Sequence, residues 1–107
     1  MDNIGKYDER QLKLMCECLA SFEKNQIELS SLIGSLEFLL NAMESVNEDW
    51  EKKFLKEVTI LESINAIEAM EESEKEDLKI NKNESIELIN KAVLSLKTLI
   101  QKELGSQ

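Results

Sequence analysis

Residues 28–45, ELSSLIGSLEFLLNAMES, decide the fold of this chain. Apolar side chains recur there at intervals of three and four residues, which places them along one face of an α-helix. They are Leu29, Leu32, Ile33, Leu36, Leu39, Leu40 and Met43. A stripe this wide is typical of a helix that faces a globular core. Gly34 falls inside the pattern, and we interpret it as a point of close approach by a neighbouring helix.

This stretch is the second predicted helix in chain order, and the first lies upstream of it. The first helix opens at Asp8, whose carboxylate is suited to cap the first turn, with Gln11 three residues later in the capping-box position. The pattern ends in the polar stretch 23–26. The apolar side chains that define this helix are Leu12, Met15, Cys16, Leu19 and Phe22.

Two further helices are predicted downstream. Asn47 is a good N-cap for a helix over residues 48–72, and residues 73–77 form a polar loop or a frayed end. The last helix begins within residues 81–83 and ends near Gly105. The stripe of the third helix comprises Trp50, Phe54, Val58, Leu61 and Ile64, and that of the last comprises Ile86, Ile89, Val93, Leu96, Leu99, Ile100 and Leu104.

These four segments predict the fold class. Short connections favour antiparallel neighbours packed around one core, and no strand-like alternation of comparable length occurs. We therefore predict an all-α protein, a small antiparallel bundle of about four amphipathic helices. The 107 residues are expected to form one domain, with residues 1–7 and 105–107 as frayed ends. Trp50 is predicted to be a core anchor.

The composition argues against catalysis and cofactor binding. The chain has no histidine, which removes the commonest general base and the commonest metal ligand. Its three glycines never cluster into a phosphate-binding loop, and no calcium-loop pattern occurs. Cys16 and Cys18 point to different sides of a helix, so we expect two reduced thiols with at least one in the core. We predict a non-enzymatic protein without metal or cofactor.

Charge and terminal sequence indicate the compartment and the partners to expect. The chain has 22 acidic and 13 basic residues, which gives a net charge of −9. This negative charge disfavours direct binding to nucleic acid or anionic membrane. The start, MDNIGKYDER, lacks the features of a signal peptide, and no apolar run is long enough to span a bilayer. We expect a cytoplasmic protein that is a monomer or a weak dimer when free.

The acidic residues form two local clusters. The first, called here the acidic corner, lies around the connection between the second and third helices and comprises Glu44, Glu48, Asp49 and Glu51. The second brackets the end of the third helix and comprises Glu68, Glu71, Glu72, Glu74, Glu76 and Asp77. Such clusters can steer a basic partner toward the protein. Solubility and helix-dipole complementation are the alternative explanation for both.

Residues 7–65 resemble a family of small helical bacterial proteins that confer immunity to toxins of contact-dependent growth inhibition systems. The likeness rests on YDERQL (7–12), FE (22–23), IELSSLIGSLEFLL (27–40), NA (41–42), WE (50–51) with Phe54, and LE (61–62). The resemblance implies an intracellular antidote that binds a cognate toxin domain, often a nuclease, and blocks its active site. An acidic surface suits a basic nuclease cleft.

Two other functions fit the same residues. The chain is also compatible with a self-associating helical scaffold or adaptor, in which the wide apolar stripes of the second and third helices partly serve a dimer. It is further compatible with a free-standing mimic of nucleic acid that acts on host or phage enzymes. The sequence alone leaves all three possibilities open.

Overall fold

The computed structural model describes residues 5–68 and 82–105, and these residues form four α-helices and no strand. The helices are α1 (Lys6–Glu23), α2 (Leu29–Ala42), α3 (Glu48–Glu68) and α4 (Lys82–Gly105). Helix α1 packs against α2, α2 against α3, α3 against α4, and α4 against α1, which closes a ring around one core. The predicted all-α bundle is confirmed.

The core is built from the apolar stripes that the sequence predicts. Phe54 is completely buried, and Trp50 stacks against it with ring centroids 5.1 Å apart, as expected for a core anchor. One predicted core residue is wrongly assigned, because Ile86 is 46% exposed beside the end of α1. The other buried apolar residues are Leu12, Met15, Leu19, Leu32, Ile33, Leu36, Leu39, Leu40, Val58, Leu61, Ile64, Ala92, Val93, Leu96 and Ile100.

Helix α1 ends in a Schellman motif that the polar stretch after Phe22 makes possible. The backbone N–H of Gln26 donates to the carbonyl of Ser21 (2.9 Å), and that of Asn25 donates to the carbonyl of Phe22 (3.0 Å). Asn25 has a φ of 61°, a left-handed conformation that asparagine tolerates better than most residues. The turn carries the chain directly into α2.

The start of α3 is capped as predicted. The Asn47 side-chain oxygen accepts a 3.1 Å hydrogen bond from the backbone N–H of Trp50. The indole Nε1 of Trp50 in turn donates to the carbonyl of Leu99 at 2.9 Å. Because Trp50 lies near the start of α3 and Leu99 near the end of α4, this bond ties two antiparallel helices together.

Two local predictions are wrong. Helix α1 begins at Lys6 after Gly5, so Asp8 lies inside the helix and does not cap it. Gln11 therefore has no capping-box role, and its side-chain amide lies 3.4 Å from the carbonyl of Tyr7. Gly34 is exposed, and a Cβ added there would meet nothing within 4 Å, so no neighbouring helix approaches it closely.

Some predictions fall on residues that the structure does not describe. The extension of the third helix to residue 72, the loop at residues 73–77 and the cap at Asn81 all lie outside the described residues. Within the described ranges, no helix is long and apolar enough to cross a membrane.

Candidate functional site

The acidic corner lies at one end of the bundle, where the chain passes from α2 into α3. Glu44 is exposed in the connection, and Glu48 and Asp49 are exposed in the first turn of α3. Glu51 belongs to the same first turn and is half-buried. The acidic side chains at the start of α3 also interact favourably with the positive end of the helix dipole, which offsets part of the repulsion between them.

A buried carboxylate holds this corner against α1. Asp8 is only 2% exposed, and its two carboxylate oxygens accept hydrogen bonds from the backbone N–H groups of Glu44 (2.8 Å) and Ser45 (2.9 Å). Hydrogen bonds from backbone amides to a carboxylate are charge-assisted and stronger than those between neutral groups. This role cannot be seen in the sequence, where Asp8 resembles the cap of its own helix.

The α2–α3 connection is also held in place before and after Glu44 and Ser45, the two residues that Asp8 contacts. On one side the backbone N–H of Met43 donates to the carbonyl of Leu40 at 3.1 Å, which ends α2. On the other side Asn47 caps α3. The backbone that carries Glu44 and Glu48 is therefore anchored at several points within a few residues. A surface held in this way loses little conformational entropy on binding a partner.

The second acidic cluster is described only at its first member. Glu68 is exposed at the end of α3, where it lines a cleft with the α1–α2 turn. Glu71, Glu72, Glu74, Glu76 and Asp77 lie outside the described residues. Glu48 and Glu68 are the two ends of α3, about 30 Å apart at the rise of an α-helix, so Glu68 does not contribute to the acidic corner.

The two cysteines are free and half-buried against the core, rather than within it. Burial raises the pKa of the Cys16 thiol; nearby Lys97 lowers it and Glu17 raises it further. A raised pKa disfavours the nucleophilic thiolate. Among residues 5–68 and 82–105, no group of three or more histidine, cysteine, aspartate or glutamate side chains is placed to hold a metal ion.

Two carboxyl groups interact between helices, Glu37 on α2 and Glu62 on α3. Burial raises the pKa of Glu37, and the charge of Glu62 and a hydrogen bond with its side chain raise it further. This pair is not visible in the sequence because the two residues belong to different helices. The pair is a local source of pH-dependent stability.

The structure also reveals an apolar surface that the sequence analysis did not single out. Phe38 is 72% exposed, and beside it a groove of about 510 Å³ runs between α1 and α2. We call this the Phe38 groove; its lining is Leu14, Cys18, Ser31, Gly34, Ser35, Phe38 and Leu39. The position of Phe38 beside the predicted α2 stripe is compatible with packing on a neighbouring helix or with exposure, and the structure shows it exposed. An exposed aromatic next to a groove is typical of a contact surface.

Comparison of the chain with protein-family models, with curated proteins and with solved structures finds no match in any of the three. The resemblance of residues 7–65 to immunity proteins therefore stays a prediction.

Proposed function

We propose that the protein is a cytoplasmic immunity protein that binds a cognate toxin domain and neutralises it. The acidic corner is the binding surface, and its partner is a basic cleft of the kind that a nuclease uses to hold its substrate. The observation that carries this proposal is the anchoring of Glu44 by the buried Asp8 carboxylate.

Charge and rigidity together support this function. Glu44, Glu48 and Asp49 are exposed acidic residues within a short stretch, and they present negative charge as the phosphates of a nucleic acid do. Complementary charge accelerates the encounter of two proteins and selects the partner. Because the backbone is already anchored, binding needs little further ordering. Inhibition then follows from steric and electrostatic occlusion of the cleft.

Complex formation with the toxin domain tests this function. The toxin domain encoded immediately upstream is produced as a catalytically inactivated variant, mixed with the full chain at micromolar concentration and low salt, and analysed by size-exclusion chromatography. We expect a stable complex, and we expect the chain to inhibit the active toxin domain in proportion to complex formation. If no complex forms under these conditions, the proposal is wrong.

The Phe38 groove favours a second candidate function, a self-associating scaffold or adaptor. An aromatic side chain that is 72% exposed beside an apolar groove is suited to an isologous contact between two copies. In this function the acidic corner serves solubility and helix-dipole complementation only.

Light scattering distinguishes the two functions. A concentration-independent monomer favours the toxin inhibitor, whereas a stable dimer that forms without a partner favours the scaffold. Phe38→Ser sharpens the comparison, because it should dissociate a dimer built on the Phe38 groove and leave a complex built on the acidic corner intact.

A further inference from the structure

A second groove, between α3 and α4, has the opposite electrostatic character. Leu94 on α4 is 63% exposed in it, and the lysines Lys53, Lys56 and Lys102 line its sides. Glu57 is the one acidic residue among the described residues that line it. We call this cleft of about 410 Å³ the lysine groove. In a chain with a net charge of −9, its local charge is inverted.

The lysine groove combines an apolar contact with two cationic edges. Lys53 and Lys56 come from α3, and Lys102 comes from α4, so ammonium groups are supplied from both helices beside Leu94. The Thr98 hydroxyl donates to the carbonyl of Leu94 at 3.0 Å and so is already satisfied within α4. The groove therefore offers apolar area and positive charge.

We propose that the lysine groove binds an acidic amphipathic helix of a partner protein. The cleft between two antiparallel helices accommodates a third helix, whose apolar stripe would lie on Leu94. Acidic residues on both sides of that stripe would then meet Lys53 and Lys56 on one edge and Lys102 on the other. Leu94 and Lys102 are about 12 Å apart along α4, enough for about two turns of the bound helix.

This surface is separate from the acidic corner in both sign and partner. The corner selects a basic surface, and the lysine groove selects an acidic one. Binding at the lysine groove does not require the toxin, because the groove is formed by residues of α3 and α4 alone.

Fluorescence anisotropy with a defined probe tests the proposal. The probe is a labelled helical peptide with leucines at helical spacing, flanked on both sides by glutamates, and it is titrated with the full-length protein. Two control peptides carry lysines in place of the glutamates, or the same acidic composition in scrambled order. We expect binding of the first peptide only, weakened as salt is added.

Matched variants locate the site. The triple variant K53E/K56E/K102E should bind the acidic peptide about tenfold more weakly, because each exposed charge pair contributes modestly and three are reversed. The control K6E/K13E/K24E changes the net charge equally at exposed lysines on α1 and its C-cap and should bind as the wild type does. Leu94→Ser should weaken binding, whereas Leu88→Ser should not. Circular dichroism verifies that all variants remain helical.

Three results would overturn the proposal. The first is no binding of the acidic peptide by the wild type at protein concentrations up to about 1 mM. The second is equal binding by the K53E/K56E/K102E variant or equal binding of the scrambled peptide. The third is lysine-dependent binding to phosphatidylserine vesicles without binding to the peptide, which would identify a membrane surface as the occupant.

Discussion

The carboxylate of Asp8 accepts a 2.8 Å hydrogen bond from the backbone N–H of Glu44, 36 residues further along the chain. This bond joins the start of α1 to the first residue of the acidic corner. The same contact therefore contributes to the packing of the bundle and positions the candidate binding surface. A buried carboxylate needs polar partners to offset the loss of water. The two amides of the α2–α3 connection supply them.

Asp8→Ala should lower the free energy of unfolding by about 2 kcal/mol, because it leaves the amide donors of Glu44 and Ser45 without their acceptor. Urea denaturation measures the change. Asp8→Asn should recover part of the loss, since its side-chain oxygen can accept one of the two bonds. The control Glu9→Gln, which removes a surface ion pair with Lys13, should change stability by less than about 0.5 kcal/mol. A similarly small effect of Asp8→Ala would show that the bonds contribute nothing.

Trp50→Phe should lower the free energy of unfolding by about 1–2 kcal/mol. The substitution keeps an aromatic ring beside Phe54 but removes the indole N–H that donates to the carbonyl of Leu99. Thermal unfolding followed by circular dichroism measures the loss. Stability equal to that of the wild type would mean that the bond between α3 and α4 is dispensable.

Phenylalanine substitutions should separate the core from the surface. Phe54→Ala should lower the free energy of unfolding by about 3–5 kcal/mol, because Phe54 is completely buried in the core. Phe38→Ser should change it by less than about 0.5 kcal/mol in the monomer, because that side chain is mostly exposed. Chemical denaturation at low protein concentration gives both values. A large, concentration-dependent effect of Phe38→Ser would instead favour the scaffold.

Glu37→Gln should stabilise the protein at neutral pH by a few tenths of a kcal/mol, the size of a like-charge repulsion on helices. Because the folded-state pKa of Glu37 is raised above its ordinary value of 4.5, folding favours the protonated form. The wild type therefore recovers stability as pH falls through the raised pKa toward 4.5, and loses it as pH rises again. Stability measured from pH 7 to pH 4 should show the advantage of Glu37→Gln shrinking. A constant difference would contradict this pairing.

Helical periodicity predicts most of the core because burial repeats at the spacing of one helix face. Leu36 and Phe54 follow from this rule, and the cap at Asn47 follows from local chemistry. The partner of Asp8 does not, since an aspartate near a helix start looks like a cap until the helices are assembled. Gly34 was misassigned for a related reason: its position in the stripe does not reveal that the groove beside it is open. The Glu37–Glu62 pair likewise depends on how two helices meet.

Stopped-flow association kinetics test most directly whether the acidic corner makes first contact with a basic toxin domain. The variant E44K/E48K/D49K is compared with E17K/E62K/E87K, which reverses the same number of exposed acidic residues elsewhere. We predict that the corner variant associates with the toxin domain at least about tenfold more slowly than the control variant at low salt. The melting temperature of the corner variant should change little by comparison. Equal association rates for the two variants would contradict the claim and place the interface elsewhere on the bundle.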